Sequence, residues 1–93
     1  MRHHDLKIRQ AYFQSVLDGT KTFEIRKDDR QFRPGDTVTL REIAPNPFEH
    51  YTGRFSEHRI GYVTSFEQCP GNVVFSLLPY EWQSGDMKDH RAV

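Results

Sequence analysis

"DGTKTFEIRKDD" (residues 18–29) holds a helix end, a turn and a strand in twelve residues, and the fold follows from how it is divided. Upstream, Phe13, Val16 and Leu17 recur at i, i+3 and i+4, with Tyr12 extending the same face, which predicts one helix over 10–18. Gly19 suits the position just past that helix, where left-handed backbone costs a glycine little. Beyond it "TKTFEIRK" alternates, with Phe23 and Ile25 on one face and Thr22, Glu24 and Arg26 on the other. A short strand that carries Lys21, Glu24, Arg26 and Lys27 is either a solvated sheet face or the wall of a binding cleft.

Working outward, "DLKIR" (5–9) alternates as a strand. "DDRQFRPGD" is loop, with Pro34-Gly35-Asp36 as its turn, and "TVTLREI" (37–43) is the next strand. "APNPFEHYTG" (44–53), with two prolines and an Asn, reads as a loop. "RFSEHRIGYVTSF" (54–66) is long for one strand, and Gly61 marks a bulge or bend in it. "EQCPG" is a turn and "NVVFSLLPY" (72–80) the last strand. The stretch 83–93 has no periodicity and is expected to be a flexible tail, leaving one domain over 1–82. Strand, helix, then four or so short strands predict a mostly β (α+β) fold, a small curled sheet or barrel with one main helix rather than βαβ layers.

Twelve aromatics in 93 residues supply apolar area and argue against disorder. Most of the Phe side chains are expected in the core. One cysteine, Cys69, sits beside Pro70 and Gly71 as a turn residue and excludes an internal disulfide or paired-cysteine zinc site. No apolar run approaches the ~18 residues of a membrane span, and "MRHHDLKIR" lacks the apolar core of a signal peptide, so a cytoplasmic protein is expected. Net charge is zero, yet residues 1–33 hold eight Lys/Arg against five Asp/Glu and 34–93 hold five against eight. That asymmetry suits an anionic partner, though not one coated along its length by charge alone. His3, His4, His50, His58 and His90 lack metal-ligand spacing, and no nucleophile elbow, P-loop or dinucleotide glycine pattern is present. No cofactor or metal is therefore indicated, and the oligomeric state is open between monomer and weak dimer.

"HDLKI", "YFQSVLDGTKTFEIRK", "DRQFRPGDTVTLRE" and "YTGR" resemble the DUF3850 branch of the ASCH superfamily of PUA-like β-barrels, from about His4 to Leu78. The resemblance is densest over "GTKTFEIRKDDRQFRPGD". It implies a small PUA-like curled β-barrel with a cleft beside the helix, and a role in RNA binding or RNA metabolism. The family's G-x-K-x-x-E/T-x-R segment lies on Gly19, Lys21, Glu24 and Arg26. One group of small ASCH proteins hydrolyses the amide of N4-acetylcytidine with a Lys, a Thr three residues on and a later Glu. Here Glu24 stands at the Thr position, and Glu67 or Glu81 would be the late carboxylate.

Two functions compete. In the first, an RNA, nucleoside or nucleotide ligand lies in the cleft, with Lys21 and Arg26 on phosphate and Glu24 accepting from a base amino group. His4 near the rim, Gly19, Arg41 and Tyr62 complete that candidate set, and Tyr51 is a freer ring for stacking. In the second, a hydrolase uses Lys21 and Glu24 as an acid–base pair with Thr22 or water as nucleophile. Each residue has a plainer role: Lys21 beside a helix C-terminus, Glu24 paired with Arg26 or Arg41, His4 in a structural hydrogen bond. Lys27, Arg30 and Arg33, interleaved with Asp28 and Asp29, read as a solvated loop. A third possibility, an interaction module built on residues 44–51, leaves the charged strand unexplained.

Overall fold

Alternation of apolar and polar residues continues on both sides of the helix, and the computed structural model, which describes residues 1–81, turns it into five strands and one helix. These are β1 (His3–Arg9), α1 (Gln10–Leu17), β2 (Phe23–Lys27), β3 (Thr37–Ala44), β4 (His50–Thr64) and β5 (Asn72–Pro79). The expected flexible tail over 83–93 lies outside the described residues. The strands make one sheet in the order β1-β3-β4-β5-β2, curled into a half-barrel. β1 pairs with β3 in parallel and every other pair is antiparallel. A parallel partner cannot follow through a tight turn, so the chain crosses over through α1 and β2 between them.

Register places the concave face. His4, Val38 and His58 share one row, and Leu6, Leu40 and Ser56 the next. Leu6, Ile8, Val38, Leu40, Ile60, Val73 and Phe75 form the core from the sheet, and α1 lowers Phe13 and Val16 onto it. Phe32, from the loop before β3, packs against Phe75 with ring centroids 4.8 Å apart. Burying each such side chain contributes roughly 1.5–3 kcal/mol.

Asp36 fastens this loop. Its carboxylate accepts from the Arg2 N–H at 3.0 Å, His4 Nε2 at 2.8 Å and the Arg33 N–H at 3.2 Å. Burial pushes its pKa up, but the hydrogen bonds from His4 and the two backbone donors outweigh this and hold it below the ordinary aspartate value.

Several expectations need correction. The long strand starts at His50, not at 54, so the loop is confined to 45–49; Thr52 is held by a 2.6 Å bond to Glu42 of β3. It ends at Thr64, which leaves Phe66 beyond it. Register shifts between Ile60 and Val63, so the bulge at Gly61 reverses the alternation: His58 turns inward and Tyr62 outward. A Cβ on Gly61 would stand 2.6 Å from Ser76 Oγ, which explains the glycine by close approach of β5. Phe23, Phe48, Phe55 and Phe66 are exposed, leaving Phe13, Phe32 and Phe75 to the core. On α1, Phe13 and Val16 are buried, but Tyr12 and Leu17 are about half exposed because the helix rests on β1 and β3 by one narrow stripe.

Candidate functional site

The two outermost strands of the sheet, β1 and β2, face each other across the open side of the half-barrel. The Leu77 N–H donates to the Thr22 carbonyl and the Asp28 N–H to Gly71, both at 2.8 Å. Even-numbered residues of β2 therefore turn their backbone groups toward β5, and those of Phe23, Ile25 and Lys27 face away from it. On β1, the Arg2 carbonyl accepts from the Thr37 N–H at 2.9 Å, so the same alternation turns the backbone of Asp5, Lys7 and Arg9 away from β3. Two half-satisfied edges thus bound a cleft of about 530 Å³, with Ile8 beneath it and Tyr12 at its helical end.

Glu24 organises the cleft. Strand alternation holds, but the face carrying Glu24 and Arg26 is the concave one, and Glu24, paired in register with Phe75, is only 4% exposed. Phe23 and Ile25 lie on the outer face, 42% and 51% exposed. A carboxylate can be buried there because both oxygens meet cations. Lys21 Nζ contacts Oε1, and Arg26 Nε donates to Oε2 at 2.9 Å. Lys21 reaches the same side as Glu24 because β2 begins only at Phe23, so the strand's alternation does not include Lys21.

Further donors of the two cations are directed as well. Lys21 Nζ donates to the Phe23 carbonyl at 2.8 Å and lies 5.2 Å from the Phe23 ring centroid and 5.8 Å from that of Tyr12. Arg26 Nη2 crosses the cleft to the Lys7 carbonyl at 2.7 Å. The triad carries one net positive charge, and the guanidinium keeps further N–H groups for an anion. Chemically the site can hold phosphate, and the rings beside Lys21 can lie against a planar base.

The other sequence-singled residues lie elsewhere. Gly19 caps α1 with φ +79° and does not line the cleft. Thr22 is exposed and does not line the cleft, and Thr20 Oγ1 donates to the Ser15 carbonyl at 3.1 Å. His4 is not at the rim: it is 4% exposed, bonded to Asp36 and packed at a tilt against Phe32 with ring centroids 4.7 Å apart. Arg41 is on the convex face, where it donates to Asp5 at 2.7 Å, a pair that raises its pKa. Tyr62 is exposed on the outside of β4, and Glu67 and Glu81 are exposed and do not line the cleft.

Lys7, Arg9 and Tyr12 line the cleft and were missed, because only the curl of the sheet brings β1 opposite β2. Two further polar groups point inward. Glu42 is buried, accepts from Thr52 Oγ1 at 2.6 Å and forms an ion pair with Arg54 Nε at 3.3 Å. His58 meets Ser56 Oγ at 2.7 Å; burial pushes its pKa down, against the opposing pull of the Glu24 charge. Among the described residues no three His, Cys, Asp or Glu side chains gather as a metal set, and no helix is long and apolar enough to cross a membrane.

A curled five-stranded half-barrel, one helix and a Lys–Glu–Arg triad at the sheet's open side define the class of domain. The chain belongs to the DUF3850 family, described as a domain of unknown function, whose model matches residues 3–77. It is also similar to the "Uncharacterized 12.9 kDa protein in GpA 3'region" of Escherichia phage P2, at 44% identity over 61 residues. That match covers 66% of this chain and 53% of the relative, so the chain spans about half the relative's length.

Proposed function

We propose that this domain is an ASCH-type, PUA-like module that binds RNA or a modified nucleotide in the cleft between β1, α1 and β2. The observation that carries the reading is Glu24 holding Lys21 and Arg26 together at an open cleft with Tyr12 and Phe23 beside them. Such a carboxylate fixes two cations in place, so an incoming phosphate meets donors that are already ordered. In this reading Glu24 acts chiefly by positioning Lys21 and Arg26. A short labelled single-stranded RNA titrated in fluorescence anisotropy tests it. Lys21→Ala should weaken binding by about tenfold or more, the effect of one charge-assisted hydrogen bond. Unchanged affinity would contradict the reading.

One observation favours a second reading. Lys21 Nζ is within hydrogen-bond reach of Glu24, as an acid–base pair in a hydrolase would require. The cleft is open, whereas chemistry on a nucleoside amide favours a closed, water-excluding pocket. Turnover of N4-acetylcytidine that disappears in both Lys21→Ala and Glu24→Gln would establish hydrolysis in place of binding alone.

A further inference from the structure

The open side of the half-barrel does not end at Arg26. Beyond that side chain lies a second hollow of about 400 Å³, which shares Lys7 and Arg26 with the first. Lys27, Asp29 and Arg30 at the end of β2 bound it on one side and Tyr51 of β4 on the other. Together the two hollows follow the facing edges of β1 and β2 as one seam, spanned midway by the bond from Arg26 to the Lys7 carbonyl. β2 alone, at five residues, extends about 16 Å at ~3.3 Å per residue, longer than one nucleoside.

The seam is lined by Lys7, Arg9, Lys21, Arg26, Lys27 and Arg30. Of its carboxylates, Glu24 is taken by Lys21 and Arg26, and Asp5 by Arg41; Asp29 is the third. Arg9, Lys27 and Arg30 make no ion pair among the described residues. A tyrosine lines each hollow. Tyr12 and Tyr51 are both more than half exposed, each with a lysine ammonium 5.8 Å from its ring centroid. Cations spread along a groove, with exposed rings on which bases can stack, match the chemistry of a single-stranded polynucleotide. A free nucleotide would leave half of this surface unused, and an acidic peptide would leave the rings without a planar partner.

We propose that the seam is a track for a single-stranded polynucleotide and that the second hollow is a separate subsite for a neighbouring nucleotide. Lys27 and Arg30 meet its phosphate and Tyr51 stacks under its base. This rests on the reading of the first hollow as a nucleotide site. The test compares a labelled RNA hexanucleotide, the DNA of the same sequence and a labelled mononucleotide, in anisotropy over a range of salt, for the wild type and Lys27→Gln/Arg30→Gln. Both side chains are exposed, so the double variant keeps the fold.

The hexanucleotide should bind the wild type at least tenfold more tightly than the mononucleotide. The double variant should lose about tenfold on the hexanucleotide and nothing on the mononucleotide. Its log–log salt slope should be shallower by about 0.7, the loss of one neutralised phosphate. Equal binding of DNA and RNA would support a track that reads backbone and base faces; RNA preference would support one that also meets the 2′-hydroxyl. If the variant binds the hexanucleotide with wild-type affinity while the mononucleotide still binds, the second subsite is overturned and the first reading stands. If neither oligonucleotide nor mononucleotide binds, both fall. An oligo-glutamate peptide that displaces the hexanucleotide as well as unlabelled RNA does would also overturn the track.

Discussion

The guanidinium of Arg26 on β2 donates to the main-chain carbonyl of Lys7 on β1 across 2.7 Å, and so ties together the two outer edges of a single curled sheet. No backbone ladder joins those strands, since β1 pairs only with β3 and β2 only with β5. One side chain does the closing. The same side chain is clamped by Glu24, so closure of the half-barrel and the charge of the cleft depend on one residue.

Arg26→Met keeps the length of the stem but removes both bonds. Stability should fall by about 1–2 kcal/mol, given that the side chain is partly exposed, as measured by urea unfolding. Arg26→Lys should recover little of this, because an ammonium cannot reach Glu24 and the Lys7 carbonyl in the same planar geometry.

Glu24→Gln removes the charge that lets Lys21 and Arg26 approach each other inside the concave face. The expected loss is roughly 2–3 kcal/mol in the same unfolding assay. The paired change Lys21→Met/Glu24→Gln should cost less than the sum of the two single changes, and a double-mutant cycle reads that coupling directly.

Acid should weaken the fold in two stages. His58 has its pKa lowered by burial from the ordinary 6.5, so its stabilisation is complete above about pH 6.5 and is lost as the pH falls below it. Asp36, lowered from 3.8, adds stability that is complete above about pH 3.8 and is lost below that. Chemical denaturation at about pH 7.5 and about pH 5.5 should show a drop for the wild type that is smaller for His58→Gln.

Gly61→Ala places a methyl 2.6 Å from Ser76 Oγ and 2.8 Å from Leu78 Cδ1. Ser76 Oγ also accepts the Tyr62 N–H at 2.7 Å, so it is not free to swing away. The change should cost about 1–3 kcal/mol, seen as a lower melting temperature.

Much of the architecture was legible from alternation and turn residues. Phe13 and Val16 announced α1, Gly19 its end, and Gly61 the irregularity in β4. What alternation does not carry is which side of a strand faces inward. Glu24 and Arg26 occupy the concave face of β2 while Phe23 and Ile25 are turned out, because two cations neutralise the carboxylate there. The parallel pairing of β1 with β3 was equally hidden, since it joins segments more than thirty residues apart with no local turn to signal it. Lys7 and Arg9 enter the cleft only through that pairing and the curl that follows. His4 looked like a rim residue because it precedes the first strand core. Its burial is set by Asp36, far along the chain, which no local pattern discloses.

The most direct test of a nucleotide site in this cleft is an amide-shift NMR titration with a short single-stranded RNA, at low and then moderate salt, on the wild type and Lys21→Ala. Shifts should cluster on residues 7–9, 12 and 21–27, weaken as salt rises, and vanish in the variant. Absence of shifts on those residues at low salt, or the same shifts in Lys21→Ala, would contradict it.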